Sequence, residues 1–125
     1  GFSAGMVHDV SLRARAGEIV GIGGLVGQGQ EDFMLGLYGA IEASARRAMI
    51  GGRPGPFAHV RAANAAGLAY VPADRKKEGL VLPHSIASNL LLPSLGTLMK
   101  HGMRDRAAEA GLVAALRRCA SGGLR

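Results

Sequence analysis

Gly17-Glu18-Ile19-Val20-Gly21-Ile22-Gly23-Gly24-Leu25-Val26-Gly27-Gln28-Gly29-Gln30-Glu31 is the stretch that decides the fold. Ile19-Val20-Gly21-Ile22 is a short apolar run of the kind that forms a strand buried on both faces. Four glycines follow within seven residues, from Gly23 to Gly29. Glycine lets the backbone fold tightly and turn its N–H groups toward one centre. After the glycines, Phe33, Leu37 and Ile41 recur every four residues, with Met34 and Tyr38 beside them, which predicts a helix with one apolar face. Gly36 and Gly39 weaken that helix slightly. A strand, a glycine turn and a helix N-terminus together suit phosphate, because the helix end presents free N–H groups and a positive dipole. Gly24 and Gly29 have the spacing of the phosphate-loop pattern G-x-x-x-x-G-K-[ST].

Two residues depart from that pattern. Gln30 stands at the lysine position, so the cation that reaches the β- and γ-phosphates is missing. Glu31 stands at the Ser/Thr position, so the Mg²⁺-binding hydroxyl is missing. A carboxylate about 4 Å from a phosphate charge, at an effective dielectric near 20, is repelled by about 4 kcal/mol. Glu31 is expected either to point away or to touch the metal itself. The bland alternative is a glycine turn that only packs helix on strand.

Outward from this loop the pattern is mixed α/β. Val10, Leu12 and Ala14 alternate with polar residues as a half-exposed strand, and Ala16-Gly17-Glu18 is the turn after it. Downstream, Ala48-Met49-Ile50 is a brief strand ended by Gly51-Gly52. Arg53 to Pro56 is a Pro/Gly loop, and 57–66 is a short Ala-rich helix stopped by Gly67. Leu68-Ala69-Tyr70-Val71 is another strand, followed by a charged loop over 73–83. A helix runs from about Ser85 to Leu92, a linker from Gly96 to Gly102, and a last helix from about Asp105 to Cys119. Ser121-Gly122-Gly123 is expected to fray.

The bulk numbers narrow the function classes. The chain has 125 residues, about one small domain, with 48% hydrophobic and 19% charged residues, which argues against disorder. No apolar run approaches the ~18 residues of a membrane-spanning helix, and no secretion signal is visible. The single cysteine, Cys119, excludes an internal disulfide and fits a reducing compartment. The net charge of +6 raises nucleic-acid binding as an alternative. Its basic residues are scattered, however, and three Phe, two Tyr and no Trp leave few rings to stack on bases. His8, His59, His84 and His101 lie far apart and lack ligand spacing.

At this point the sequence resembles a known family. Asp9-Val10-Ser11-Leu12, Gly17-Glu18-Ile19-Val20-Gly21-Ile22 and Gly24-Leu25-Val26-Gly27-Gln28-Gly29 look like the ATP-binding subunits of ABC sugar importers. They are most similar to the second of two fused ABC domains in the ribose/xylose/galactose type, where the lysine position tends to be altered. The resemblance continues through Gly67-Leu68-Ala69-Tyr70-Val71-Pro72-Ala73-Asp74-Arg75-Lys76-Lys77-Glu78-Gly79-Leu80, where the family form has Val-Pro-Glu-Asp-Arg. Ser85-Ile86-Ala87-Ser88-Asn89-Leu90 resembles the helix start that follows, and Cys119-Ala120-Ser121 the run before the ABC signature.

The resemblance implies an α/β P-loop NTPase fold, here the first half of an ABC nucleotide-binding domain. Residues 1–83 would be its β-rich lead-in, P-loop core and Q-loop region, and 84–125 the start of its helical subdomain. It implies ATP as the ligand, bound weakly or not at all, with Mg²⁺ in doubt. The implied phosphate site is Gly24, Leu25, Val26, Gly27, Gln28, Gly29, Gln30 and Glu31. Pro72, Ala73, Asp74 and Arg75 would form the Q-loop-like segment, with Ala73 in place of the family's glutamate. The charged run Asp74 to Glu78 would be either a solvated loop or a coupling loop. Phe2 is a candidate ring for stacking on adenine, or part of a frayed end. Implied partners are a membrane permease, a second ABC domain and, indirectly, a sugar-binding protein. The implied location is the cytoplasmic face of the cell membrane. The signature motif, Walker B aspartate, catalytic glutamate and switch histidine are not among these residues. No catalytic residue and no metal ligand is therefore assigned, and a fragment without independent activity is the alternative.

Overall fold

The computed structural model describes residues 1–100 and 102–122, which divide into two compact units, Gly1–Val71 and Pro72–Arg125. In the first unit, β1 (Phe2–Ala4) is the middle strand of an antiparallel sheet. It lies between β2 (Val7–Val10) and β3 (Ala43–Ala45), with Phe2 opposite both Val10 and Ala45. Helix α1 (Gln30–Tyr38) packs on this sheet. Phe33 sits 4% exposed beneath Phe2, the ring centroids 5.2 Å apart in an edge-to-face pair. Such a geometry adds about 0.5–1.5 kcal/mol beyond the area that the rings bury. Leu37 continues the apolar face that the sequence spacing predicts, while Ile41 packs on the same core from beyond the end of the helix.

Gly36 belongs to this packing. A Cβ there would run into Ala4 Cβ and come within 3.1 Å of Phe2 Cζ and 3.2 Å of Ala43 Cβ. The expectation that Gly36 merely weakens the helix therefore misses its purpose, which is to let the helix backbone approach the sheet. Gly39 ends α1 in the left-handed conformation, φ 73°, with its N–H on the helix carbonyls.

Ala48–Ile50 is β4, as expected, but Arg53–Gly55 is its antiparallel partner β5 and not a loop. Gly51 and Gly52, both at positive φ, make the two-residue turn between them. Helix α2 (Val60–Ala65) starts on His59, whose Nδ1 accepts from Ala62 N–H at 3.1 Å, and stops at Gly67 with φ 89°.

Three expected strands do not form. β2 ends at Val10, and neither Ile19–Ile22 nor Leu68–Val71 joins a ladder. Ile19 is 97% exposed. A strand buried on both faces needs a hydrogen-bonded neighbour on each side. The described residues provide no parallel strand for either segment.

In the second unit, α3 (Ile86–Leu91) begins on Ser85, whose Oγ accepts from Ser88 N–H. It runs into a 3₁₀ turn at Leu92–Ser94. The expected linker holds a small hairpin, β6 (Met99–Lys100) with β7 (Met103–Arg104). Helix α4 (Arg106–Gly122) packs against α3. Ser121 and Gly122 remain helical, so fraying does not begin there, while Gly123 and His101 lie outside the described residues. Asp105 caps α4, its Oδ1 accepting from Ala107 and Ala108 N–H at 3.1 and 3.0 Å. Arg104 grips Glu109 through Nε and Nη2 at 2.6 and 3.0 Å. No described helix is long and apolar enough to cross a membrane.

Candidate nucleotide-phosphate loop

The loop is built from its glycines. Gly27 and Gly29 sit at φ 81° and 91°, where an L side chain is strained. Gln28 N–H donates to Leu25 O at 3.2 Å and closes a turn. Gly29 caps α1 without a side chain, and Phe33 N–H donates to its carbonyl at 2.9 Å. The first-turn N–H groups of α1 are therefore left free of any side-chain cap, as an anion site requires.

The side chains follow the sequence reading in part. Gln30 folds back, its Nε2 donating to Leu25 O at 3.0 Å. It crosses the space over Gly24, where a Cβ would lie 3.0 Å from Gln30 Cδ. Glu31 is exposed, whereas the next carboxylate, Asp32, is spent structurally, accepting from Met6 N–H at 2.8 Å in the β1–β2 turn. Leu25 and Val26 project into solvent. The strand half of the motif is missing, since Ile19–Ile22 is irregular.

Phe2 is not frayed. It is 7% exposed, packs edge-to-face on Phe33 and also lines a neighbouring cavity. Behind it lies a cavity of ≈ 440 Å³ lined by Leu12, Ala14, Leu37, Met49 and Leu68 among others.

In the other unit, Pro72, Ala73, Asp74 and Arg75 lead into a π-type turn, Arg75–Gly79. Asp74 Oδ1 accepts from Lys76 and Lys77 N–H at 3.1 and 3.3 Å, and Lys77 Nζ lies 3.7 Å from Oδ2. Asp74 therefore organises the turn. Arg75 and Ala73 are exposed. Sequence reading did not find Asn89. Its Oδ1 accepts from Val81 N–H at 2.8 Å, while its Nδ2 donates to Val81 O and Ser85 O, both at 3.1 Å. Only its place within the quoted helix start hinted at a role.

Apart from the Arg104–Glu109 pair, whose glutamate is buried, the ion pairs among the described residues lie at the surface. Arg46 Nη2 donates to Asp9 Oδ1 at 3.2 Å. Lys100 is pushed up by Asp105, and Asp105 is held down mainly by Lys100, 2.8 Å away, helped by Ala108 N–H.

The glycine turn opens a helix, and a capped acidic-basic turn follows it in sequence, in the order that the sequence resemblance implies. Comparison with known proteins agrees with this. The chain is 44% identical over 110 residues to ribose import ATP-binding protein RbsA 1 of Mesorhizobium japonicum, matching 86% of this chain and 21% of that protein. It is 43% identical over 117 residues to arabinose import ATP-binding protein AraG 2 of Burkholderia thailandensis, 90% of this chain and 22% of that protein. It is 43% identical over 101 residues to ribose import ATP-binding protein RbsA 2 of Streptomyces coelicolor, 81% and 20%. No family model and no solved structure matches the chain. The chain is similar to sugar-import ATP-binding proteins and spans about a fifth of the length of the curated relatives it matches.

Proposed function

We propose that this chain is part of the ATP-binding subunit of an ABC-type sugar importer, the first half of its second ABC domain, with a degenerate phosphate loop. The observation that carries this reading is the glycine loop Gly24–Gly29 opening directly onto α1, in a sequence 40–44% identical to ribose and arabinose import ATP-binding proteins. In that subunit the chain would sit at the cytoplasmic face of the cell membrane. It would work with a permease, a second ABC domain and, through the permease, a sugar-binding protein. Its loop would help to energise or regulate transport through ATP.

The residues suit phosphate by their backbone and not by their side chains. The free N–H groups at Gly29–Glu31 and the helix dipole favour an anion. Gln30 brings no charge, and Glu31, exposed in the first turn, is placed to meet a metal ion or to repel a phosphate. The chain alone is expected not to hydrolyse ATP, because it lacks the lysine and the metal-binding hydroxyl of the loop, the Walker B aspartate and the catalytic carboxylate. Mg²⁺, where bound, would neutralise phosphate charge beside Glu31. Calorimetric titration of the chain with ATP, with and without Mg²⁺, tests the binding. No heat at millimolar nucleotide would remove this reading, and turnover above background would remove the expectation of inactivity.

A further inference from the structure

The sequence from Ala16 to Ala45 contains no Lys or Arg, although the chain as a whole carries +6. It holds four carboxylates, Glu18, Glu31, Asp32 and Glu42. The glycine loop thus lies in a stretch of 30 residues whose only charges are acidic. Asp32 is bonded to Met6 N–H and Glu18 to Arg15 N–H. Glu31 has no hydrogen bond or ion pair among the described residues and stands at the second position of α1. What replaces the missing cation is the Gln30 carboxamide, and it is already engaged, at 3.0 Å, with the carbonyl of Leu25 in the same loop.

We propose that Gln30 is a positioning and specificity-determining residue of this loop: its neutral carboxamide ties the loop into its curl, and the site therefore takes a nucleoside diphosphate in preference to a triphosphate. This rests on the nucleotide reading above. The tie spans five residues, from Gln30 back to Leu25, and its path lies over Gly24, where only glycine leaves room. It adds one hydrogen bond to the single backbone bond, Gln28 N–H to Leu25 O, that closes the turn. A lysine at this position would bring a cation to the terminal phosphates, and charge-assisted bonds are about twice as strong as neutral ones. Without it, each phosphate beyond the second adds negative charge beside Glu31 with no side-chain cation of the loop to offset it. Backbone N–H groups at a helix start satisfy a diphosphate without needing that charge.

Three forms of the chain test the proposal: the natural sequence, Gln30→Ala and Gln30→Lys. Hydrogen exchange of the nucleotide-free chain reads the tie directly. The Gln28 amide should exchange about tenfold faster in Gln30→Ala, the factor that corresponds to loss of one modest hydrogen bond. Unchanged exchange would overturn the positioning role, whatever nucleotide does. Titrations with ADP and ATP at fixed Mg²⁺ read the preference. The natural chain should bind ADP more tightly, and Gln30→Lys should shift the ATP-to-ADP affinity ratio toward ATP by about tenfold or more. An unchanged ratio with both nucleotides binding would overturn the specificity role alone. If no form binds either nucleotide, the nucleotide reading fails and takes the preference with it, while the exchange result still decides the tie.

Discussion

Two neighbouring segments of the first unit, Ile19–Ile22 and α1, belong to one motif by sequence and end in opposite states. Helix α1 is fully formed and its Phe33 is buried at 4% exposure, whereas Ile19, in a run equally apolar, is 97% exposed. The helix satisfies its own backbone through bonds four residues apart and needs only one apolar surface to lie on, which β1 and β3 provide. A parallel strand satisfies nothing by itself. Its N–H and C=O groups need neighbours, and its two apolar faces need two layers. The same hydrophobicity thus yields order where the bonding is local and exposure where it is not.

The largest break in this comparison is at the helix. Phe33→Ala removes the ring that joins α1 to β1 and is expected to cost about 3–5 kcal/mol, seen as a lower urea midpoint for the first unit. Next is Gly36→Val, which drives a branched side chain into Ala4 and Phe2 and is expected to cost about 1–3 kcal/mol by the same measurement. If Gly36→Val were neutral, the close approach of helix and sheet would be wrong.

A smaller effect concerns how helices start. Helix α1 has no side-chain cap, whereas α4 is capped by Asp105, whose carboxyl is held below its ordinary value by Lys100. A lowered carboxyl stabilises the folded state above its unfolded value, near 4, and loses that contribution as pH falls through the lowered value. Helical circular dichroism should therefore decline modestly on acidification below about pH 4, and Asp105→Asn should reduce that decline. The smallest effect is expected in the exposed segment. Ile19→Thr should change stability by no more than about 0.5 kcal/mol, because the side chain touches little. A loss above about 2 kcal/mol there would show that the segment is packed after all.

Much of the structure was legible because it is local. The four-residue spacing of Phe33, Leu37 and Ile41 gave α1, Ser85 marked α3, and Gly67 marked the end of α2. Gly51-Gly52 marked the end of β4 but not the hairpin it turns, because Pro54 and Gly55 disguised the second strand as loop. Other features were illegible because they join residues far apart. Gly36 makes sense only against Ala4, Asp32 only against Met6, and Phe2 only against Phe33. In the candidate site, the glycine spacing and the odd residues Gln30 and Glu31 could be read directly. The engagement of Gln30 with Leu25 could not, since it depends on the side-chain path over Gly24. Pairing for Ile19–Ile22 could be expected from the pattern, but pattern supplies no partner strand.

The Asn89 clamp has a consequence for how the second unit meets proteases. Val81 and Leu82 are exposed and apolar, the composition of an inviting cleavage site. Cleavage, however, requires the backbone to peel away and extend through the enzyme's cleft. Val81 is held at both its N–H and its C=O by one side chain, which also bonds Ser85 at the start of α3. Freeing the bait therefore means loosening the first turn of a helix as well, so susceptibility at this loop is set by the stability of α3 and not by exposure.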